Sequence, residues 1–251
     1  LGKSLFVGKF CDDLQLSGHT VARLQLEDEM EQHLLRSLAQ QSLRADLASP
    51  AFHKANPDES KVLYEQFRPT LEKIAPSVTA GEDDDWDADK ILTWVESQLK
   101  QGKELVVVDP VSVVMDKNIW IVSHRLMWGM KKILAKYPHG RVVLVSHPNS
   151  EGDISGGQAY KRFSHGMLML NRLKAPKEME IINANGELSV KNVYATIAIV
   201  KSRYGPGQGS EIAVEIDPSS LKLRELGVIV RELKATKPTG RSFDTETDIE
   251  L

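Results

Sequence analysis

The chain has 251 residues, 41% of them hydrophobic, and its charged residues nearly balance to a net charge of -3. This composition is that of a globular protein and excludes disordered, fibrous and coiled-coil chains, and the net charge excludes a protein that is basic over its whole surface. The single cysteine, Cys11, excludes an intramolecular disulfide framework and a cysteine-based zinc site, and no run approaches the roughly 18 apolar residues that a membrane span requires.

The first half of the chain predicts helices around one short strand. Residues 5–16 have the spacing of a helix, which ends at Ser17-Gly18. Residues 20–26 alternate apolar and polar side chains, as a strand does. Helical spacing returns over 29–47, and residues 51–102 are predicted to be mostly helical, with breaks at three prolines and at an acidic loop over 82–89.

The second half predicts strands and helices in alternation, and then strands alone. Residues 105–108 and 141–145 are continuous apolar runs, typical of strands covered on both faces in a parallel sheet, and a long helix is predicted between them over 119–137. From Gly166 onward four strands are predicted, at 167–170, 194–200, 211–216 and 221–230, with a hairpin tip at 204–209.

These elements predict one α/β domain over residues 1–233 with a mostly parallel central sheet, flanked by helices, that finishes antiparallel on its C-terminal side. Residues 234–251 are polar and rich in threonine, so we expect a loose tail. Cys11 lies on the first helix and is predicted to be a small buried packing residue.

The first residues match the end of a phosphate-binding loop. Leu1-Gly2-Lys3-Ser4 before a helix fits the last part of G-x-x-x-x-G-K-[ST], and we expect the first glycine of that pattern in a segment that precedes Leu1. Glycine lets backbone N–H groups approach phosphates, the helix start adds positive dipole, Lys3 would contact the phosphates and Ser4 would ligate Mg²⁺. An ordinary helix start often carries the same three residues.

Polar side chains follow the two buried strands. Asp109 ends the first of them, where a Walker B aspartate holds Mg²⁺ through water, although Asp-Pro also commonly starts a turn. Ser146-His147 ends the second and is placed to sense a γ-phosphate, unless His147 simply caps the following loop. Glu27 ends the strand after the first helix and could polarise an attacking water, although an acidic first turn of the next helix would look the same.

A basic pair, Lys201 and Arg203, lies between a predicted strand and a glycine-rich hairpin. Side chains alternate across a strand, so the two project together. Such a pair could reach the γ-phosphate bound by a neighbouring subunit, and an arginine supplied in this way accelerates hydrolysis by about 10³ to 10⁵. A solvated basic edge is the alternative interpretation.

Taken in order, these motifs resemble the RecA-like ATPase core of hexameric replicative DNA helicases, most closely the DnaB type and the helicase domain of phage primase-helicases. Residues 24–30 resemble the strand that ends in the catalytic glutamate, 153–164 the segment after the DNA-binding loop, and 200–204 the strand that carries the arginine finger. The resemblance covers about residues 1–230 and implies a RecA-like P-loop NTPase fold. It also implies a cytoplasmic protein of a bacterium or a phage-infected cell, which suits a single cysteine.

The resemblance further implies ATP and Mg²⁺ as cofactors and a role for each of these residues. The implied nucleotide-binding residues are Gly2, Lys3, Ser4 and Leu5, with Ser4 and Asp109 at the metal. The implied catalytic residues are Glu27, His147, Lys201 and Arg203: Glu27 activates water, His147 links the γ-phosphate to the nucleic-acid loop, and Lys201 and Arg203 act across a subunit interface. Such enzymes assemble as homo-oligomers, here predicted to be hexameric rings, around single-stranded DNA.

The sequence departs from this family in the predicted DNA-binding loop. No Lys or Arg lies between 148 and 160, Glu151 and Asp153 are acidic, and Ser155 stands where the closest relatives carry an arginine. A phosphate backbone therefore needs a local positive surface. The loop around 115–117 also looks short.

The residues predicted to bind nucleic acid are Gly156, Gly157, Lys161 and Arg162. The four tryptophans are predicted to lie in the core or at an interface rather than to stack on bases: Trp86, Trp94, Trp120 and Trp128.

Two alternatives remain open at this stage. One is a RecA-like ATPase of recombination or regulation without unwinding activity, which the poorly basic loop favours. The other is a nucleotide-dependent assembly module with little turnover, against which Glu27 argues, because a binding module needs no carboxylate to activate water.

Overall fold

The computed structural model of the protein describes residues 2–81, 86–111, 119–148 and 157–233. Predictions that concern Leu1, the core of the acidic loop, the short loop at 115–117, Ser155, Gly156 and the C-terminal tail lie outside these residues. Seven helices are present in the described residues: α1 (Lys3–Leu16), α2 (Met30–Ser42), α3 (Pro50–Ala55), α4 (Pro57–Ile74), α5 (Ala88–Lys100), α6 (Ile119–Lys136) and α7 (Gly157–Phe163). None of them combines the length and the apolar run that a bilayer crossing requires.

Four parallel strands form the first sheet. They are β1 (Val21–Gln25), β2 (Val78–Ala80), β3 (Leu105–Asp109) and β4 (Arg141–Leu144), in the spatial order β2-β1-β3-β4. Each residue of β1 and β3 is buried, because helices cover both faces of the sheet. The continuous apolar run of β3 is therefore the pattern that its position requires.

The two faces of the sheet pack against different helices. Since side chains alternate along a strand, Leu105 and Val107 face α1 and pack with Cys11 of that helix. Val106 and Val108 face the other way, into the core that α5, α6 and α7 build. Asp109 follows the odd-numbered residues, so its carboxylate lies on the side of α1.

A second sheet holds the antiparallel strands. It consists of β5 (Gly166–Ile182), β6 (Leu188–Ser202), β7 (Glu211–Ile216) and β8 (Leu223–Glu232), and it closes on itself because β5 pairs with both β6 and β8. The expectation of one sheet that finishes antiparallel is therefore wrong in this respect. Within the described residues, no ladder joins β4 to the antiparallel strands.

The β5–β6 hairpin is longer than the sequence predicts. The chain turns at 183–187, and the second half of β5 carries polar residues outside that hide the period of two. A register shift between Arg172 and Lys177 also interrupts the ladder, so no simple alternation runs through this stretch.

Two further differences lie in the first half. Helix α2 ends at Ser42 rather than at Leu47, because Leu43 takes a left-handed conformation (φ 61°) and a 3₁₀ turn follows over Ala45–Ala48. Strand β2 has three residues, too few for a period to be visible in a segment predicted to be helical.

A buried polar network joins α1, β1 and α2. Asp12 and Arg23, with 1% and 0% of their surfaces exposed, lie with their charged atoms 3.6 Å apart. Ser37 donates a hydrogen bond to Asp12 (2.5 Å), and His33 contacts both Arg23 and Asp12. Because helix α1 starts at the predicted phosphate-binding loop, this network fixes that helix on the sheet.

Candidate nucleotide-binding site

The C-terminal ends of β1, β3 and β4 meet at one edge of the parallel sheet, beside the start of α1. Gln25 is in register with Asp109, the Leu26 N–H donates to the Asp109 carbonyl (2.9 Å), and the Val145 N–H donates to the Val108 carbonyl (2.9 Å). In open α/β sheets, ligands bind in the crevice at such strand ends. The predicted site residues Glu27, Asp109 and His147 follow these three strands.

Helix α1 starts in the conformation that a phosphate-binding loop needs. Gly2 precedes the helix with φ 115°, a value that favours glycine. A side chain there would also be crowded, because a Cβ would lie 3.4 Å from Ile216 and 3.6 Å from Leu170 of the antiparallel sheet. The backbone N–H groups of Ser4 and Leu5 belong to the first turn, whose N–H groups have no partner within the helix.

Lys3 reaches across to the end of β4. Its ammonium donates to the Ser146 carbonyl (3.0 Å) and contacts His147 Nδ1 (3.0 Å). Desolvation by burial lowers the pKa of Lys3, although the nearby carboxylates of Asp109 and Glu27 oppose that shift. The lysine that would bind phosphates is thus held by acceptors of the protein itself.

Ser4 and Asp109 form the second contact between α1 and the sheet. The Ser4 hydroxyl donates to Asp109 Oδ1 (3.3 Å), and the second carboxylate oxygen, Oδ2, is buried without a hydrogen-bond partner among the described residues. Burial raises the pKa of Asp109, and the hydrogen bond from Ser4 opposes that shift. A hydroxyl beside an unpartnered carboxylate oxygen suits Mg²⁺, which prefers oxygen ligands, so these residues fit the predicted metal.

Glu27 and His147 close the site toward solvent. His147 Nε2 lies 3.2 Å from Glu27 Oε2, and about half of each side chain is exposed. Since the Lys3 ammonium can only donate, His147 Nδ1 accepts and Nε2–H donates to Glu27. Lys3, His147 and Glu27 therefore form one hydrogen-bonded chain across three elements.

Lys201 and Arg203 lie together elsewhere. The Lys201 ammonium donates to the Lys161 carbonyl, and the Arg203 guanidinium donates to the Arg162 carbonyl (3.1 Å), so both cap the C-terminal end of α7. Desolvation and the neighbouring Arg203 lower the pKa of Lys201. Among the described residues, no hydrogen bond or ion pair joins them to Lys3, Ser4 or Asp109 of the same chain.

The predicted nucleic-acid residues are described in part. Gly157 begins α7, and Lys161 and Arg162 in its last turn are exposed. Two of the four tryptophans differ from the core interpretation, because Trp120 is 60% exposed and Trp128 is 43% exposed. Trp86 and Trp94 pack against the core around α5 and α6.

The Asp12–Arg23 network and the Ser146 carbonyl were not predicted. In the sequence, Arg23 looks like the polar face of a half-exposed strand, because residues 20–26 alternate. The only available signal was topological: a strand that follows a phosphate-binding loop and its helix is central in an α/β sheet, so both of its faces are covered. The carbonyl of Ser146 belongs to the backbone and leaves no trace in the sequence.

Comparison with known proteins yields a match of fold. No protein-family model matches the chain, and no curated protein does. A solved structure described as the ATPase domain of a DnaB-type helicase superposes with a TM-score of 0.64 over 88% of this chain and 80% of that chain, at 13% sequence identity. The predicted fold class is thereby confirmed: the chain has the RecA-like α/β fold, with a parallel sheet between helices and a separate antiparallel sheet.

Proposed function

We propose that the protein is a Mg²⁺-dependent ATPase of the ring-forming type that moves along single-stranded DNA, and that it serves as the helicase domain of a DNA-replication protein. The observation that carries the proposal is the chain of contacts Lys3–His147–Glu27 beside the pair Ser4–Asp109. A phosphate-binding lysine, a metal-binding pair and an acidic base thus share one crevice at the strand ends, where nucleotide hydrolysis needs them.

Each side chain then has a step to perform. Gly2, Lys3, Ser4 and Leu5 bind the phosphates, and Lys3 exchanges the Ser146 carbonyl and His147 for phosphate oxygens. Ser4 and Asp109 hold Mg²⁺, which when bound neutralises charge on the phosphates. Glu27 accepts a proton from the attacking water.

His147 is the residue that links this chemistry to the rest of the protein. It contacts Lys3 through one ring nitrogen and Glu27 through the other, so displacement of Lys3 by phosphates leaves Nδ1 without its donor. The loop that starts after His147 leads to Gly156, Gly157, Lys161 and Arg162, which we assign to nucleic acid. A change at the phosphates would therefore be felt at the polymer.

The basic pair supports an oligomer. Lys201 and Arg203 lie at the end of α7, with no contact to the phosphate-binding residues of their own chain within the described residues. We assign them to the γ-phosphate bound by the neighbouring subunit. That assignment requires every subunit to have a neighbour on the same side, which a closed ring provides, here a homohexamer.

The test is steady-state ATP hydrolysis by protein with a complete phosphate-binding loop, with and without single-stranded DNA, over a salt series. Glu27→Gln should lower the rate by roughly 10² to 10⁴, while Glu29→Gln, the matched control on the same segment, should leave it unchanged. Glu29 is exposed and makes no side-chain hydrogen bond as the residue before α2. Lys3→Ala should abolish nucleotide-dependent activity.

The outcomes separate the proposal from its alternatives. Stimulation by DNA that fades with salt supports translocation, because phosphate contacts weaken as salt rises. Hydrolysis without stimulation would instead indicate a RecA-like ATPase with another task. Equal rates for Glu27→Gln and Glu29→Gln would remove the catalytic assignment, and full activity of Arg203→Ala would remove the assignment in trans.

A further inference from the structure

Helix α6 presents a surface that the proposed function does not use. Its 18 residues contain no Asp or Glu, although the whole chain is acidic, with a net charge of -3. Its larger exposed residues are aromatic, aliphatic or basic: Trp120, Ile121, His124, Arg125, Trp128, Lys131, Lys132 and Lys136. Since an exposed helix face usually mixes both charge signs, this face is selective for negative charge.

A groove of about 580 Å³ lies between α6 and α7. Its walls include Trp120, Ile121, His124, Arg125, Arg162 and Phe163, and no acidic side chain of the described residues lines it. The Phe163 ring anchors the floor, with its centroid 5.5 Å from His124 and 5.9 Å from Trp128, both edge to face. Trp120 at the rim has 60% of its surface exposed, so a flat face is open to a ligand.

The positive charge of this surface is only partly neutralised. Arg125 pairs with Asp89 and Lys136 with Glu96, both from α5. Lys131 and Lys132 lie over the Trp128 ring instead, at 5.1 and 5.9 Å.

Arg162 similarly lies over the Phe163 ring, at 5.6 Å. In the part of the chain that the structure describes, Lys131, Lys132 and Arg162 contact no carboxylate. A polyanion would find these three cations available.

We propose that the groove between α6 and α7 binds single-stranded nucleic acid, with a base stacked on Trp120 and phosphates against Arg162 and the Lys131–Lys132 pair. This inference rests on the proposed function and gives its polymer a base-binding surface. A planar aromatic ring beside cations matches the two chemistries of a nucleotide unit, a π-face and a phosphate.

Two other occupants fit the helix less well. A membrane surface needs a broad apolar helix face, but the aliphatic residues of α6, including Leu126, Met130 and Ile133, are buried in the core. An acidic protein segment would use the cations but has no need of an open ring. Both become outcomes of the test.

The test is fluorescence anisotropy with a labelled oligothymidylate and the full chain, without nucleotide. Trp120→Ala should raise Kd by roughly 5- to 100-fold, the range for loss of one stacked base, whereas Trp120→Phe should retain most of the affinity. Tyr64→Ala is the matched control, because Tyr64 is an exposed aromatic residue on α4, outside the groove, and it should bind like the parent. Arg162→Gln should reduce the slope of log Kd against log salt by about 0.7.

The inference and the proposed function fail in different ways. If the parent binds the oligonucleotide but Trp120→Ala and Trp120→Phe both bind equally well, the groove is not the base-binding surface and the ATPase proposal stands. If Arg162→Gln weakens binding while Trp120→Ala does not, or if a polyglutamate peptide competes as well as the oligonucleotide, the site recognises charge alone and the inference is overturned. If the parent binds no oligonucleotide, the inference and the translocase proposal both fall.

Discussion

Asp12→Asn should destabilise the fold far more than its position on a surface helix suggests. The substitution keeps the shape of the side chain but removes the negative charge that faces Arg23, at 3.6 Å. Arg23 has no exposed surface, and its Nε and Nη1 atoms already lack hydrogen-bond partners among the described residues. The remaining guanidinium charge would then be buried without a counter-charge.

The expected loss is about 3 to 5 kcal/mol in the free energy of unfolding, the cost of breaking one partner out of a buried ion pair. For a chain of this size that loss lowers Tm by roughly 6 to 20 °C. Urea unfolding monitored by circular dichroism measures the free energy, and the midpoint should fall while the slope stays constant.

The neighbouring residue provides the control. Asp13 lies next to Asp12 on α1, is half exposed and forms a surface pair with Lys9, so Asp13→Asn should cost less than about 1 kcal/mol. The double variant Asp12→Leu with Arg23→Met should recover much of the loss, because it removes both buried charges. If Asp12→Asn and Asp13→Asn unfold at the same urea concentration, Arg23 does not depend on Asp12 and the reasoning is refuted.

Two further predictions concern stability. Burial lowers the pKa of His33 below its usual 6.5, with Arg23 acting in the same direction and Asp12 opposing; the unfolded chain therefore binds more protons than the native one below about pH 6.5, and stability should fall as the pH drops, by up to about 1.4 kcal/mol per pH unit. His33→Asn should flatten that slope in urea titrations at several pH values, and an unchanged slope would contradict this. Gly227→Ala should cost more than about 1 to 3 kcal/mol, because Gly227 has φ 145° and a Cβ would lie 2.4 Å from the Ile182 carbonyl oxygen, whereas Gly186→Ala (φ 80°), with no atom of the described residues within 4 Å, should lower the thermal midpoint less.

The parallel sheet was predictable because its strands are short, buried and apolar. The runs at 105–108 and 141–145 have only one structure in which both of their faces are covered, and a polar residue after each run can only lie at the sheet edge. The positions of Asp109 and His147 follow from that argument. Their contacts with Ser4 and Lys3 follow in turn, once residues 2–4 start a helix beside the same edge.

The antiparallel sheet was less predictable, for physical reasons. A closed four-stranded sheet exposes much of its outer face, so apolar and polar residues mix along β5 and β6, and register shifts interrupt their period. Separation of the two sheets depends on which strand edges pair, and edges are backbone groups that all residues share. The exposed Trp120 likewise could not be told from a core residue by spacing, because the helix that carries it is apolar on its buried face.

The separation of the two sheets also bears on the order in which the protein folds. All strands of the antiparallel sheet lie within Gly166–Glu232, and most of its ladders join neighbours in sequence. The pairing of β1 with β3 instead joins Val21 to Leu105 across α2, α3, α4 and α5. Because closing a long loop slows folding, the phosphate-binding edge, which needs β1, β3 and β4 together, forms late, and a partly folded chain carries the antiparallel sheet before it can bind a nucleotide.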